Sequence, residues 1–416
     1  MSVEPATVQG RRQAAFAFIF VTVLLDMLAL GMVIPVLPKL IESFLAGDTA
    51  RASEIFGLFG TVWALMQFVF SPVHGMLADR FGRKPVILIS NFGLGLDYIL
   101  MALAPTLWWL LAGRIISGIC AASISASYAY IADVTPAEKR AARFGMMGVA
   151  FGAGFVLGPA LGGLAGNIDP RLPFWIAAAL SLANGLYGVF ILPESLPADQ
   201  RTPFAWRRAN PVGSLVLLRS HPELTGLSVA NFLGNLAHAS LPSIAVLYMM
   251  YRYGFDERTV GLTMAGVGLS AMIVQGGLIG PTIARFGERT AMLVGLIFGI
   301  AAFALWGFAP SALFFWLGIP LMSLWGIANA ASLGLMSGRV GATEQGQLQG
   351  ANSSLMGIAN LFGPGLFTQV FALFVGERAV WHLPGAPFLL AALLLLFAAL
   401  VASAATRPRS QPESHA

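Results

Sequence analysis

Long apolar runs separated by short polar segments fill almost the whole chain. A run of about 18 or more apolar residues predicts a helix that spans a membrane. Six such runs precede a polar segment at 193–223, and six follow it. In chain order the predicted spans are 14–38, 55–77, 86–104, 107–132, 141–166, 173–192, 225–250, 259–283, 290–308, 312–336, 347–375 and 384–405. The pattern predicts an all-α integral membrane protein with twelve transmembrane helices.

The polar segment divides the spans into two equal sets. We therefore predict an N-terminal six-helix bundle at 14–192, a linker at 193–223 and a C-terminal six-helix bundle at 224–405. Polar segments at 1–13 and 406–416 flank the two bundles. The first apolar run is longer than the core of a signal peptide, and no small-residue cleavage site follows it, so we expect it to remain as the first span.

Two motifs recur in the second half at one constant offset, which indicates that the halves are repeats. The segment GMLADRFGRK, which begins at Gly75, matches GPTIARFGER, which begins at Gly280. The Gly-Pro pair at 158–159 matches the pair at 363–364 with the same offset of 205 residues. We therefore expect the two bundles to be pseudo-symmetric.

Composition excludes several classes of protein. Hydrophobic residues make up 57% of the chain, charged residues 10%, and the mean hydropathy is +0.77, which excludes a soluble globular domain. The single cysteine, Cys120, cannot form an internal disulfide or a cysteine metal cluster. The sequence has no HExxH, GxSxG or P-loop motif, so an enzyme or an ATP-driven pump is not expected. We expect no resident metal or cofactor.

The basic residues indicate the orientation in the membrane. If the spans alternate in direction, seventeen of the 24 lysines and arginines fall on one side, together with both termini and the linker. Basic loops stay in the cytoplasm, so we expect cytoplasmic termini in a bacterial inner membrane. The pI near 9.7 is then a consequence of topology and does not indicate a nucleic-acid partner.

Three ionisable residues stand out inside the predicted spans: Asp26, Asp97 and Arg114. A charge in hydrocarbon costs at least ~2.5 kcal/mol, so such residues are candidates for function. Asp97 and Arg114 lie eight and nine residues either side of the turn at Pro105, which places them at one level of a hairpin. We predict that the three groups carry a proton; the alternative is a permanent Asp-Arg pair that docks helices.

Polar residues replace charge in the second half. Asn231, Asn235 and His238 lie within about 60° on one face of the seventh span. Gln275 and Asn329 add polar positions in later spans. We predict that these five residues bind substrate, with hydrogen bonding between helices as the alternative.

A charged loop follows the second span, and a run of small residues lies in the fifth. The loop residues that we assign to a cytoplasmic gate are Gly75, Asp79, Arg80, Gly82, Arg83 and Lys84. The fifth-span residues that we assign to a hinge are Gly154, Gly158, Pro159, Gly162 and Gly163. Proline kinks a helix and glycine allows close approach, so tight packing is the alternative to a hinge.

The loop spacing resembles the signature loop of the major facilitator superfamily, and the fifth-span run resembles the motif of its antiporters. The resemblance implies that Asp79 meets the eleventh span and that Arg83 pairs with Asp133, which closes the cytoplasmic side. With the Asp97-Tyr98, Gly113-Arg114 and Pro193-Glu194-Ser195 segments, nearly the whole chain resembles the TetA class of tetracycline/proton antiporters.

That resemblance implies drug efflux and antibiotic resistance: export of a magnesium-chelated drug in exchange for a proton, with magnesium carried as part of the substrate. The class usually has an acidic residue in the ninth span and a histidine in the eighth, where this sequence has Gly299 and Ala271. A facilitator or flippase for a metabolite or lipid therefore remains an alternative. A non-transporting sensor on the same scaffold is a third. We expect a monomer.

Overall fold

The computed structural model describes residues 6–121, 123–135, 137–202, 215, 217–340, 345–376 and 381–407. These residues form helices and connecting turns, without a strand among them. The central part of the predicted linker and most of the predicted C-terminal tail lie outside the described residues. The all-α prediction is confirmed.

The helices of the first half alternate with short turns. They are α1 (Ala6–Val33), α2 (Leu37–Ser43), α3 (Thr49–Phe81), α4 (Arg83–Ala102), α5 (Leu107–Cys120), α6 (Ser123–Val134), α7 (Ala137–Ile168) and α8 (Leu172–Ile191). A turn of 3-10 helix, Ala198–Gln200, lies in the described part of the linker.

The second half has the same alternation. Its helices are α9 (Leu217–Ser220), α10 (Pro222–His238), α11 (Ser240–Tyr253), α12 (Glu257–Ile273), α13 (Ile279–Phe308), α14 (Ala312–Leu324), α15 (Gly326–Ser337), α16 (Gln345–Val375) and α17 (Ala386–Ala405). A π-helical segment, Val274–Leu278, joins α12 to α13.

Helix covers most of every predicted span in the described residues. Within the described residues, ten stretches are long and apolar enough to cross a membrane. One of them, Glu257–Phe308, has 52 residues and contains both the eighth and the ninth predicted spans. The fourth predicted span is divided between α5 and α6. The predicted boundary between the eighth and ninth spans is marked only by a non-helical backbone at Gly287 (φ 73°), because the helix continues on both sides of it.

Helix breaks interrupt the first, fourth, seventh and tenth spans. The first span breaks between α1 and α2, around Pro35, and the fourth breaks after Cys120. The seventh breaks at Ala239 and the tenth at Trp325, which are the corresponding spans of the second half. Discontinuous helices are typical of transporter binding sites, because they free backbone groups within the membrane.

Two compact units make up the fold. Unit 1 comprises Met1–Pro211, Leu241–Leu269 and Pro364–Pro384. In it α1 packs on α7 and α8, and α4 packs on α5 and α8. The units therefore do not coincide with the two halves of the sequence, and the predicted bundle boundaries stay a prediction.

Unit 2 comprises Val212–Ser240, Ser270–Gly363 and Gly385–Ala416. Its central helix is α13, which packs on α14, α15 and α17, while α10 packs on α17.

The α1–α7 interface brings two backbones into contact. A Cβ atom at Gly162 would lie 2.2 Å from the carbonyl oxygen of Met32, and one at Gly158 would lie 2.8 Å from the Cα atom of Gly31. On the other side of α7, a Cβ at Gly163 would meet Gly261 of α12 at 2.9 Å. Only glycine permits these distances, because any side chain would force the helices apart.

An ion pair adds to the packing of α12 within unit 1. Lys39 Nζ lies 2.7 Å from a carboxylate oxygen of Glu257, the first residue of α12. The Glu257 side chain is 3% exposed and that of Lys39 is 49% exposed. The buried carboxylate is therefore neutralised by a cation that stays partly in solvent.

We expect Gly162→Val to lower the free energy of unfolding by about 1–3 kcal/mol, because the valine would press against the α1 backbone. Thermal unfolding in detergent measures the change. Gly266→Val on α12 is the matched control, since no atom lies within 4 Å of a Cβ at Gly266. Equal unfolding temperatures for the two variants would contradict the packing argument.

Candidate functional site

Asp26, Asp97 and Arg114 lie on α1, α4 and α5 of unit 1, and all three are buried. Asp97 packs against the α5 backbone, because a Cβ at Gly113 would lie 2.8 Å from its Oδ1 atom. The Asp97 carboxylate is within electrostatic range of Arg114. The α4–α5 hairpin thus brings the Asp97 carboxylate and Arg114 to one level.

The structure does not join these charges in an ion pair. Arg114 donates from Nη2 to the sulfur of Met101 at 3.4 Å. Its Nε atom and both Asp97 carboxylate oxygens have no hydrogen-bond partner within 3.5 Å among the described residues, although the Ser117 side chain lies near the Asp97 carboxylate. A permanent Asp-Arg pair that docks the helices is therefore absent from this arrangement. The guanidinium is held about one helical turn beyond Asp97, at Met101.

Tyr98 is a member of this cluster that the sequence analysis did not select. Its side chain is 3% exposed and lies within electrostatic range of Asp26, Asp97 and Arg114. A phenol can both donate and accept a hydrogen bond. Its position next to Asp97 in the sequence was visible, but the proximity to Asp26 depends on how α1 and α4 pack.

Glu194 holds the charged loop after α3. Its carboxylate accepts hydrogen bonds from the backbone N–H groups of Arg83 (2.8 Å) and Lys84 (3.3 Å) at the start of α4. An anion at a helix N-terminus is stabilised by the unpaired N–H groups and by the helix dipole. Gly82 adopts φ 105°, and a Cβ there would lie 2.2 Å from the carboxylate. Glycine is therefore required at this position.

The Arg83 side chain contacts two acidic side chains of the first half. It contacts Asp79 through Nη1, and its Nε atom lies 3.2 Å from Asp133 Oδ2. Ser195 donates to the same Asp133 oxygen at 2.9 Å. Residues 341–344, which precede the eleventh span, lie outside the described residues, so the implied contact of Asp79 with that span stays a prediction.

The remaining predicted gate residues have separate environments. Lys84 donates from Nζ to the carbonyl oxygen of Val189 at 3.0 Å. The guanidinium of Arg80 lies 5.1 Å from the ring centroid of Phe81. A Cβ at Gly75 would have no atom within 4 Å.

The predicted hinge residues form the packed face of α7. A Cβ at Gly154 would lie 2.6 Å from that of Met27, and the Pro159 ring lies against Gly31. The helix continues through Pro159 without interruption. The described arrangement thus uses these residues for close packing, and bending at Pro159 stays a prediction.

Two pairs of polar or aromatic residues meet in unit 2. Asn231 of α10 donates from Nδ2 to Asn352 Oδ1 of α16 at 3.2 Å. The His238 ring lies 5.8 Å from that of Trp325, so the breaks of the seventh and tenth spans meet. Sequence reasoning missed Trp325, because hydropathy treats it as an ordinary apolar residue.

The other predicted substrate residues are more open. Asn235 is partly exposed on α10, and Asn329 is exposed on α15. Gln275 is exposed within the π-helical segment. Such segments are frequent at functional sites. The α15 helix packs on both α10 and this segment, so the three residues lie on elements that contact one another.

Gly299 is closely surrounded. A Cβ there would lie 2.8 Å from Trp325 Cγ and 2.7 Å from a methyl carbon of Leu395. Trp325 also packs edge-on against Phe303, with ring centroids 5.6 Å apart. An acidic side chain at this position would require Trp325 to move, so the aromatic cluster takes the place of the carboxylate that the resemblance implies.

Paired repeats, interrupted spans and charges inside the membrane together define a secondary transporter. The chain belongs to the Major Facilitator Superfamily, whose family model matches residues 19–364 and 227–416. It is a multi-pass membrane transporter and not an enzyme.

Curated relatives and solved structures agree with this family. The chain is 36% identical to the Escherichia coli tetracycline resistance protein of class C, over 88% of this chain and 91% of the relative. It is 27% identical to the human hippocampus abundant transcript-like protein 1, over 92% and 78%. The crystal structure of the human organic anion transporter MFSD10 (TETRAN) matches with a TM-score of 0.68 and 25% identity, over 94% and 99%. A bacterial homologue of the lysosomal transporter Spinster matches with a TM-score of 0.77 and 18% identity, over 97% and 98%.

We expect Glu194→Ala to lower the free energy of unfolding by about 0.5–2 kcal/mol, because two N–H groups at the start of α4 lose their acceptor. Chemical denaturation in detergent measures the loss. Asp199→Ala, an exposed acid on the same segment, is the control and should leave stability unchanged. An equal effect of both substitutions would refute the capping role.

Proposed function

We propose that the protein is a proton-coupled antiporter of the bacterial inner membrane that exports tetracycline-like drugs or other amphiphilic small molecules by alternating access. The observation that carries the proposal is the buried Asp26–Asp97–Arg114 cluster, whose members have no fixed ion-pair partner. The similarity to tetracycline resistance proteins supports the substrate class.

The first half supplies the proton step. A buried carboxylate without hydrogen-bond partners costs least in its protonated form. If Arg114 leaves Met101 and turns to Asp97, the ion pair stabilises the carboxylate and favours release of the proton. A cluster that can adopt both arrangements can couple protonation to movement of the helices.

The second half supplies a surface for an amphiphilic ring system. His238, Trp325 and Phe303 form a continuous aromatic cluster. The amides of Asn231 and Asn352 provide polar contacts on the same unit. An aromatic ring of the substrate would stack on His238, the exposed member of this cluster, with the buried Phe303 and Trp325 behind it. Oxygen atoms of the substrate would bind to the asparagine amides.

Magnesium enters this proposal as part of the substrate. The described residues contain no group of three or more His, Cys, Asp or Glu side chains that could hold a metal ion. A chelated drug would bring its own ion, and the protein would bind the chelate through aromatic and amide contacts.

The orientation and assembly belong to the same proposal. The excess of arginine and lysine in alternate loops supports cytoplasmic termini. The protein would work in the lipid bilayer as a monomer.

A facilitator or flippase is the second candidate function, and the filled space around Gly299 favours it. Without a carboxylate there, the second half lacks the coupling group that the resemblance implies. A facilitator moves substrate without moving protons. A non-transporting sensor would move neither, so the same flux measurement separates all three.

We expect Asp26→Asn and Asp97→Asn each to reduce coupled antiport to the level of vesicles without the protein, because neither amide can carry a proton. Collapse of a pH gradient on addition of magnesium and tetracycline to inverted vesicles measures coupling. Radiolabelled tetracycline uptake in the same vesicles measures transport.

Asp199→Asn is the matched control, because it removes an exposed carboxylate far along the chain from the cluster. Normal acidification and uptake in both intramembrane variants would disprove the proton role. Uptake without any pH change in the wild type would instead identify a facilitator.

A further inference from the structure

Helices α1, α4 and α8 of unit 1 contact one another at the level of Phe18, which precedes Asp26 on α1. A Cβ at Gly188 of α8 would lie 2.7 Å from both Phe18 of α1 and Leu88 of α4. One turn along, a Cβ at Gly185 would lie 3.2 Å from the ring of Phe92. These contacts fix the register of the three helices.

The next turn of each helix carries a buried polar side chain. They are Thr22 on α1, Asn91 on α4 and Asn184 on α8, with 1%, 0% and 2% exposure. Thr22 donates from Oγ1 to Asn184 Oδ1 at 3.2 Å. The Nδ2 atom of Asn184 and both amide atoms of Asn91 have no hydrogen-bond partner among the described residues. We call these three residues the polar layer.

Asp26 is one turn beyond the polar layer. It follows Thr22 by four residues, so both side chains lie on one face of α1. The Oδ1 atom of Asp26 is also buried and unpartnered. Tyr98 lies within electrostatic range on α4, and Asp97 and Arg114 are the charged groups near that phenol.

Four unpartnered polar atoms therefore lie on two consecutive turns. Each unsatisfied buried group costs about 1–3 kcal/mol. A buried water satisfies such groups where two to four polar partners surround it. The three helices already pack through apolar side chains at Phe18 and Leu88. Packing alone therefore does not explain buried polar atoms on the next turn, whereas a bound molecule does.

We propose that Thr22, Asn91 and Asn184 bind water next to Asp26 and so position the path by which its proton leaves. In the proton-transfer step, the O–H bond of the Asp26 carboxyl breaks and a water bound to the polar layer accepts the proton, which leaves a carboxylate. The proton then passes to the next water. The proton role rests on the proposed antiport, whereas the water site does not.

Infrared spectroscopy of the purified protein in lipid tests the site without substrate. At acidic pH, the difference between wild type and Asp26→Asn isolates the C=O stretching band of the protonated Asp26. The same difference is then taken in the Asn91→Leu and Asn184→Leu backgrounds. We expect the band to shift to higher wavenumber in both, because the carboxyl loses hydrogen-bonded water.

Asn91→Ser replaces the amide with a hydroxyl group, which can still bind water, and leaves room for a further water, so we expect the wild-type band position. Ser332→Ala removes a buried, unpartnered hydroxyl from α15 of unit 2 and is the control. An unshifted band in Asn184→Leu overturns the proposal, even if Asn91→Leu fails to fold. A shifted band in a protein that performs no antiport would leave the water site in place and refute the proposed function.

Discussion

A charge within a membrane must be paired, neutralised or hydrated, and this constraint acts here on a small group of residues in the first half. Asp26, Asp97 and Arg114 are buried, yet the structure joins none of them in an ion pair. Arg114 instead contacts the sulfur of Met101. Burying these groups without partners costs free energy. We attribute that cost to function, in which the groups change partners or protonation state.

The surrounding structure holds that cluster in position. Glycines on α7 let the backbone of α1 approach closely, which fixes the helix that carries Asp26. The loop after α3 is held by Glu194 at the start of α4, the helix that carries Asp97. Unit 2 has no such charged group at Gly299. The Trp325 ring fills the space beside Gly299, where the resemblance implied an acidic side chain.

Hydropathy predicted all twelve spans, because each requires a long apolar run that few other structures need. The offset of 205 residues predicted pseudo-symmetric halves but no helix breaks. The breaks nevertheless recur at almost the same offset, from residues 34–36 to Ala239 and from Ala121 to Trp325. Trp325, Tyr98 and Asn91 were missed for a shared reason. Their roles depend on which residues of other helices they contact, and a single sequence does not contain that information. Glu194 was visible in a motif, but its partners are 110 and 111 residues away.

We propose that the carboxylates of the first half carry the proton. Proton release from the purified protein on binding of magnesium-tetracycline, followed by a pH indicator in weakly buffered detergent solution, tests it most directly. We predict release from the wild type and none from the Asp26→Asn/Asp97→Asn double variant, with substrate binding measured in parallel. Undiminished release from a double variant that still binds substrate would contradict the claim and assign the proton to another group.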